Sequence, residues 1–310
     1  MENASHQKAL TDPIFQVISK AATELGLEAY VVGGYVRDYF LERGAKQDID
    51  IVAVGSGIAL AKKVSQMLPG TPKVTVFKNF GTAMIRQGDL HLEFVGARKE
   101  SYRKDSRKPL VEDGTLEEDQ KRRDFTINAM ALDLRQESFA TLLDPFQGRE
   151  DLKKGIIRTP LEPDITYSDD PLRMIRAIRF ATQLSFEITP ASLEAIEKNK
   201  DRIRIVSRER IVDELQKIMA ADQPSEGLAL LHNTGLLEYI LPELTALRGI
   251  EEIEGQRHKD NFWHTLEVVD NICRATDKIW LRWAALLHDI GKAPTKRFDD
   301  KIGWLSLIHI

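Results

Sequence analysis

Two aspartates separated by one residue, Asp48 and Asp50, are the pair whose type and spacing point most directly to chemistry. They flank Ile49 at the start of the apolar run DIDIVAV, which is typical of a buried β-strand. Because side chains alternate along a strand, both carboxylates would lie on one face, about 7 Å apart along the backbone. Such a pair could share a hard cation such as Mg²⁺, which proteins hold with one or two carboxylates and substrate phosphates. The plain alternative is an exposed acidic pair at a strand edge.

Two glycines, Gly33 and Gly34, lie between the apolar run AYVV and the helix-like stretch YVRDYFLER. This order predicts a strand, a tight turn and the start of a helix. Glycine lets a phosphate approach the backbone closely, and the free N–H groups of a helix N-terminus attract anions. Arg37 and Asp38 would lie one turn into the helix, with the guanidinium in reach of a triphosphate. A simple turn would also explain the glycine pair.

A third acidic candidate, Glu93, lies between Leu92 and Phe94 in the run HLEFV. KVTVF, GTAMIRQ and HLEFVGAR read as three successive strands. A carboxylate that points inward from a strand is costly unless it is paired or binds a metal. The alternation also allows Glu93 simply to face water, and the pattern leaves both interpretations open.

Taken together, the motifs resemble the class II nucleotidyltransferases, the branch with the CCA-adding tRNA nucleotidyltransferases and the bacterial poly(A) polymerases. The resemblance covers roughly residues 10 to 250. It rests on GGYVRD, DID, LEFVGAR, RRDFTINAMALD (Arg122 to Asp133), DPFQGREDL (Asp144 to Leu152), SDDPLRMIRAIRFA (Ser168 to Ala181) and SRERIVDEL (Ser207 to Leu215).

The resemblance implies specific roles. Asp48 and Asp50 would bind the catalytic Mg²⁺, and Glu93 would assist them. Contacts with the triphosphate would fall to Gly33, Gly34, Arg37 and Asp38. Contacts with the nucleotide and its ribose would fall to Arg122, Arg123, Asp124 and Asn128.

The family selects its base with two acidic residues followed, after two spacers, by arginine, which matches Asp169, Asp170 and Arg173. Many members have Glu where this chain has Asp169. A guanidinium can donate to cytosine acceptors, and a carboxylate can accept from an exocyclic amine. By spacing alone, Arg173, Arg176 and Arg179 fit the solvated face of an amphipathic helix. With the acids just before Pro171, a good helix start, we prefer the template interpretation and count all three arginines as nucleotide-binding.

The expected fold is an α/β nucleotidyltransferase head with a mixed β-sheet, an all-α neck and body, and the start of a helical HD domain. The boundaries are residues 1–150 for the head, 151–250 for the body with the template and tRNA-binding surface, and 251–310 for the partial HD domain. The segment from Arg98 to Arg123 is strongly charged and predicts a solvated loop. In the family it is a mobile loop that helps the site to switch nucleotides.

HKDNFWHTLEVVDNI and LRWAALLHDIGK resemble the beginning of an HD domain, a metal-dependent phosphohydrolase module. His264, His288 and Asp289 match its first ligands, which suit a transition metal or Mg²⁺. The pattern needs a further downstream aspartate, and the ending LSLIHI departs from the family, which suggests a truncated or artificially ended reading frame. Paired histidines at the ends of core helices are the alternative.

Composition agrees with an intracellular enzyme. The 310 residues suggest two or three units, and the net charge of −4 restricts RNA contacts to local patches. Cys273 is the one cysteine, so an internal disulfide and a multi-cysteine zinc site are excluded. The sequence begins with polar residues and contains no apolar run of about 18 residues. These features predict a cytoplasmic protein without membrane association.

The expected activity is Mg²⁺-dependent transfer of CMP and AMP from CTP and ATP to a tRNA 3′ hydroxyl, with release of pyrophosphate. The expected partners are the 3′ end and acceptor arm of tRNA, CTP and ATP. A poly(A) polymerase is less favoured because a long basic C-terminal arm and a basic insert after the D-x-D are not found. Addition of CC alone or of A alone also fits the motifs, and the HD-like segment would fit phosphohydrolase activity.

Overall fold

The computed structural model describes residues 6–44, 47–103, 106–249, 252–253, 256–257, 260–295, 297–299 and 303–305. The chain forms two compact units, residues 1–162 and residues 163–310. Of the ending LSLIHI, only Leu305 is among the described residues, so the expectation about this ending lies outside them.

The first unit combines strands and helices. Its strands are β1 (Glu28–Val32), β2 (Asp48–Val54), β3 (Val74–Phe77), β4 (Thr82–Gln87), β5 (Leu90–Gly96), β6 (Arg98–Arg103), β7 (Ser106–Asp113), β8 (Ala131–Asp133), β9 (Leu142–Leu143) and β10 (Ile156–Ile157). Its α-helices are α1 (Pro13–Leu25), α2 (Gly34–Phe40), α3 (Gly57–Met67), α4 (Leu116–Lys121) and α5 (Gly148–Lys154).

Seven of these strands form one mixed sheet in the order β3-β4-β5-β2-β1-β8-β9. Only β2 and β5 run parallel among these neighbours; the other pairs are antiparallel. The central strands β1 and β2 are apolar because both contribute to the core, where Val31, Ile51 and Phe94 are fully buried. The parallel pair therefore lies in the middle of the sheet, next to β1.

Helix boundaries follow local signals in the sequence. The carboxylate of Asp12 accepts a hydrogen bond from the Ile14 N–H and caps α1, which begins with Pro13. Helix α1 ends at Gly26, whose φ of 65° fits the left-handed C-cap. Ser56 caps α3 in the same way through the Ala59 N–H. The three strands predicted from KVTVF, GTAMIRQ and HLEFVGAR are found in the structure as β3, β4 and β5.

The charged segment after β5 differs from the solvated loop that its composition predicts. Strands β6 and β7 pair as an antiparallel hairpin, and helix α4 follows directly. Thr115 and Glu118 form a capping box at the start of α4, each satisfying a backbone N–H of the other. The loop prediction was wrong here because backbone pairing and capping supply the order that apolar periodicity does not.

The second unit is mainly helical. Its helices are α6 (Pro163–Asp169), α7 (Leu172–Leu184), α8 (Pro190–Asn199), α9 (Arg208–Met219), α10 (Pro224–Asn233), α11 (Leu237–Ile240), α12 (Pro242–Thr245), α13 (Asn261–Ala275), α14 (Ile279–Leu287) and α15 (Lys292–Thr295). Among its described residues it also has the short strands β11 (Glu187–Ile188), β12 (Glu252–Ile253), β13 (Gln256–Arg257), β14 (Arg297–Asp299) and β15 (Gly303–Leu305).

Apolar stripes hold this helical unit together. Met174, Ile175 and Ile178 of α7 are fully buried, and α7 packs against α9, where Ile218 is buried. These observations agree with the expected fold class of a mixed α/β head followed by helices. Within the described ranges, no helix combines the length and the apolar character that crossing a membrane demands.

Candidate active site

The acidic residues meet where the two parallel strands run side by side. In the β2–β5 register, Asp50 stands opposite Glu93. Asp48, Asp50 and Glu93 are exposed, while their neighbours Ile49 and Leu92 are buried. Strand alternation therefore places the three carboxylates on one face of two adjacent strands. The structure brings together all three residues of the predicted catalytic set.

Two of these carboxyl groups, Asp50 and Glu93, are harder to ionise than free side chains. Although Asp50 keeps solvent-accessible surface, the protein packed around its carboxyl group displaces water, and this desolvation raises its pKa; Arg123 lowers the pKa, and Asp48 and Asp119 raise it again, with a net increase. Desolvation also raises the pKa of Glu93, and the charge of Asp50 adds to the increase. Such a cluster of oxygen donors carries more negative charge than the adjacent arginine balances, so the residues present fit a hard divalent cation.

His91 is a neighbour of the acidic face that the sequence pattern did not identify. Its Nδ1 lies 3.0 Å from Asp48 Oδ1, in keeping with the β2–β5 register that pairs the two residues. His91 shares a strand face with Glu93, two residues further on, and this alternation is the signal that could have found it. Its partner depends on the strand pairing, which local sequence does not specify.

Gly33 brings the main chain against the acidic face. Its φ of 74° and ψ of −132° are accessible to glycine and strained for other residues. A Cβ at this position would lie 3.2 Å from Arg123 Nη1 and 3.4 Å from Asp50 Oδ2. The turn therefore needs glycine both for its backbone angles and for its close neighbours. Gly34 follows as the first residue of α2.

Four of the predicted nucleotide-binding residues form one hydrogen-bonded network behind this turn. Arg37 donates from Nε and Nη2 to the carboxylate of Asp38 at 2.9 and 3.0 Å, and from Nη1 to Asn128 Oδ1 at 2.9 Å. Asn128 donates from Nδ2 to Asp124 Oδ1 at 3.1 Å. Asp38, Asp124 and Asn128 are buried. Their placement orients Arg37 and supports the turn from within.

Arg122 and Arg123 share a partner that the sequence analysis missed, the fully buried Asp119 of α4. The signal was present in the sequence, because Asp119 precedes the two arginines by three and four residues, the spacing of neighbours on a helix face. Gln120, also missed, is buried and donates from Nε2 to Ala129 O at 2.7 Å and to Leu143 O at 3.1 Å. It fixes α4 to the end of the sheet.

In the helical unit, the predicted template residues surround the start of α7. Pro171 is the N-cap residue of this helix. Asp170 accepts at Oδ1 from the Leu172 N–H at 3.3 Å, and its carbonyl accepts from the Arg173 N–H at 2.9 Å. Asp169 ends α6 directly before this turn. The two acids and Arg173 are half-buried and lie close together in the chain.

The other two arginines of the series differ in exposure. Arg176 is half-buried, whereas Arg179 is buried and forms an ion pair with Glu214 of α9 at 3.0 Å. Arg176 Nη1 lies 3.7 Å from the same carboxylate. A nucleotide contact from Arg179 would require its ion pair to open, so the structure favours a packing role for this side chain.

A second cluster lies at the ends of α13 and α14. His264, His288 and Asp289 each offer one ligand atom, and these atoms lie within 4.8 Å of one another. His288 Nδ1 lies 2.7 Å from the Ala285 carbonyl, which can only accept, so Nδ1 donates there, while Nε2 lies 3.2 Å from Asp289 Oδ2 on the inner side of the cluster. This donor set fits a transition metal. The ammonium of Lys292 also binds Asp289 and would compete with the metal.

A mixed sheet with three carboxylates on one face, beside a glycine turn and a fixed arginine, defines the head of a nucleotidyltransferase. Residues 29–158 match the family described as "Poly A polymerase head domain". Residues 185–247 match "Probable RNA and SrmB-binding site of polymerase A", and residues 261–309 match "HD domain". The chain belongs to the class II nucleotidyltransferase family that contains the CCA-adding enzymes.

Similar curated proteins have three different names. The chain is 34% identical over 91% of its length to the A-adding tRNA nucleotidyltransferase of Aquifex aeolicus (strain VF5), and it covers 34% of that protein. It is 34% identical to the CC-adding tRNA nucleotidyltransferase of Halalkalibacterium halodurans (strain ATCC BAA-125), with 79% of this chain and 60% of that protein covered. For the CCA-adding enzyme of Geobacillus thermodenitrificans (strain NG80-2), the identity is 35%, with 88% and 62% covered. The chain thus spans from about one third to about three fifths of the length of these relatives.

Solved structures agree with the family. One crystal structure is of a tRNA nucleotidyltransferase complexed with a primer tRNA and an incoming ATP analog. This chain superimposes on it with a TM-score of 0.68 and 31% identity, and the match covers 88% of this chain and 75% of that one. The family and the fold class expected from the sequence are therefore confirmed.

Proposed function

We propose that this protein is a CCA-adding tRNA nucleotidyltransferase, which transfers CMP and AMP from CTP and ATP to the 3′ end of tRNA. The observation that carries the proposal is the shared face of Asp48, Asp50 and Glu93, with Arg123 beside it. A cytoplasmic location fits this proposal, because tRNA and both nucleotides are available there.

The proposed cofactor is Mg²⁺, held by Asp48 and Asp50 with help from Glu93. When bound there, it would favour the alkoxide form of the attacking 3′ hydroxyl and neutralise charge on the departing pyrophosphate. The chain's own residues would do the rest. Arg123 donates hydrogen bonds to the triphosphate from beside Gly33, and the Gly33 turn leaves room for a phosphate next to the backbone.

For base selection we propose Asp170 and Arg173, with Asp169 beside them. A carboxylate can accept from the exocyclic amine of cytosine or adenine, and a guanidinium can donate to acceptors on the base edge. Asp170 is held at the start of α7 by its own backbone contacts, which limits its freedom before a base arrives. Arg176, half-buried on the same helix, is the further candidate for nucleotide contact.

The activity is tested by incubating the protein and Mg²⁺ with tRNA that lacks its last three nucleotides. Labelled CTP and ATP are supplied separately and together, and Asp48→Ala serves as the inactive control. We expect C from CTP alone, and terminal A once both are present. Addition of C alone would identify a CC-adding enzyme, and A alone on tRNA ending in CC an A-adding one. Addition of A to unrelated RNA would identify a poly(A) polymerase, and no incorporation at all would refute the proposal.

A second candidate activity is metal-dependent phosphohydrolysis, favoured by the cluster of His264, His288 and Asp289. A transition metal held there could activate water for attack on a phosphate ester. The test is release of nitrophenol from bis-p-nitrophenyl phosphate with Mn²⁺ or Ni²⁺. The activity should disappear in His288→Ala; equal rates in that variant would exclude the cluster as its source.

A further inference from the structure

Helix α4 is fixed from both of its sides, although it has only six residues. The capping box of Thr115 and Glu118 closes its N-terminus, and the buried Gln120 joins it to two backbone carbonyls at the end of the sheet. Asp119, between these anchors, has no exposed surface. A carboxylate in such a place is costly unless it has a structural or functional purpose.

The contacts of Asp119 show what it holds. Its Oδ1 accepts from Nε and Nη2 of Arg122, and its Oδ2 accepts from Nε at 3.2 Å and Nη2 at 3.1 Å of Arg123. Each guanidinium thus donates two hydrogen bonds, from its Nε and Nη2, to one carboxylate oxygen of Asp119; we call this a two-pronged contact. Burial raises the pKa of Asp119, but Arg123 and Arg122 outweigh it, so this pKa lies below its ordinary value. The carboxylate is therefore an anion that fixes two cations.

The remaining edge of Arg123 points toward the acidic face. Its Nη1 lies 3.4 Å from the Asn128 carbonyl and 3.2 Å from the point where a Cβ of Gly33 would be. Asp50 Oδ2 lies 3.4 Å from that same point. A freely rotating arginine side chain would lose conformational entropy on binding a ligand. Arg123 has already lost this entropy, because Asp119 holds its Nε and Nη2.

We infer that Asp119 is a positioning residue, which holds Arg123 so that its Nη1 faces the triphosphate of a bound nucleotide beside Gly33 and Asp50. The inference rests on the proposed function for the identity of the ligand. It differs from a purely structural role, because it predicts weaker nucleotide binding at unchanged fold.

The test measures CTP binding by calorimetry with Mg²⁺ and without tRNA, so that no turnover occurs. Asp119→Asn keeps the side-chain volume but removes the charge that fixes Arg123. We expect its Kd for CTP to rise about tenfold, the size of a single charge-assisted contact. Thr115→Ala is the matched control on the same helix. It removes the N-cap and costs about 1 kcal/mol of stability, yet should leave the Kd within about twofold.

A second comparison separates positioning from other effects. In the Arg123→Ala background, Asp119→Asn should change the Kd much less than it does alone, because only the contact of Asp119 with Arg122 is left to lose. If Asp119→Asn fails to fold, Arg123→Lys tests the same contact from the other side, because lysine keeps the positive charge but cannot donate two hydrogen bonds from a fixed edge. We expect Arg123→Lys to weaken CTP binding about as much as Asp119→Asn.

The outcomes are distinguishable. Unchanged CTP binding in both Asp119→Asn and Arg123→Lys, or equal weakening in Thr115→Ala, would overturn the positioning role. Independent losses in the double variant would overturn it as well. If the unsubstituted protein binds CTP but adds nothing to tRNA, the proposed function fails while the role of Asp119 stands. If it binds no triphosphate, both fail.

Discussion

At Asp50 the folded chain holds a carboxylate where its charge is disfavoured. Desolvation and the neighbouring acids raise its pKa, and Arg123 only partly compensates. A group whose pKa is higher in the folded than in the unfolded state reduces stability once the pH is high enough to ionise it. The ionised carboxylates that would bind a metal are thus expected to destabilise the metal-free fold, and this cost can be measured.

We predict that Asp50→Asn stabilises the protein in the presence of a chelator at neutral pH. The gain should fade as the pH falls from the raised folded-state pKa of Asp50 toward its ordinary value of 3.8, because the carboxyl is then neutral in both states. Melting temperatures at several pH values with EDTA would show this. Asp89→Asn, in the exposed β4–β5 turn, is the control and should change little. A destabilised Asp50→Asn at neutral pH would contradict the electrostatic account.

Gly33 permits a sharper test of the turn. In Gly33→Ala the alanine must adopt backbone angles that are strained for it, and its methyl group comes close to Arg123 and Asp50. We expect a loss of about 1–3 kcal/mol in stability and a weaker affinity for CTP. Gly26→Ala also has a positive φ, of 65°, but meets no atom within 4 Å. It should lose about 1 kcal/mol and keep its affinity, as measured by urea unfolding and calorimetry.

At the scale of elements, local sequence signals predicted many of the helices and strands, but they did not show which strands pair with each other. The cap at Asp12, the glycine turn after β1 and the alternating strands β3 to β5 were readable because each is set by nearby residues. The hairpin of β6 and β7 was not, because its charged residues give no apolar alternation and its order comes from cross-strand pairing. Yet Thr115 and Glu118 carried a readable capping box.

The residues of the candidate site were likewise predictable where local sequence places them and not where strand pairing does. Asp48 and Asp50 could be placed on one face from strand alternation alone. The pairing of Glu93 with Asp50 and of His91 with Asp48 depends on the parallel register of β2 and β5, strands separated by α3, β3 and β4. Asp119 was overlooked because a charged residue on a charged helix is usually solvated. Its burial follows from packing that only the tertiary structure shows.

Glu214 is the element-scale contact most open to test, because it joins α7 to α9 through the buried Arg179. Glu214→Gln would leave that guanidinium without its counter-charge, which should cost about 3–5 kcal/mol. All four tryptophans lie in residues 163–310, so their fluorescence during urea unfolding reports on this unit. Lys217→Ala removes a half-exposed partner of the same carboxylate and should cost less than about 1 kcal/mol. Equal losses would contradict a special role for the Arg179 pair.

At the scale of the whole molecule, two clusters of potential metal ligands differ in chemistry. The acidic face of residues 1–162 offers the carboxylate oxygens of Asp48, Asp50 and Glu93, which suit Mg²⁺. The cluster of His264, His288 and Asp289 in residues 163–310 adds two imidazoles, which suit a transition metal. Different donor sets in different units imply that the two functions can be removed one at a time.

We therefore predict that the double substitution His264→Ala and His288→Ala abolishes Ni²⁺ binding, because only one carboxylate of the cluster remains. Nucleotide incorporation into tRNA should stay within about twofold of the unsubstituted protein, since the two clusters belong to different units and share no residue. Asp48→Ala should show the reverse: lost incorporation, with Ni²⁺ and tRNA binding retained. Calorimetry with Ni²⁺, a tRNA gel-shift and labelled CTP incorporation, all on the full chain, give the three readouts. Loss of incorporation in a folded double-histidine variant would mean that the two clusters act as one system.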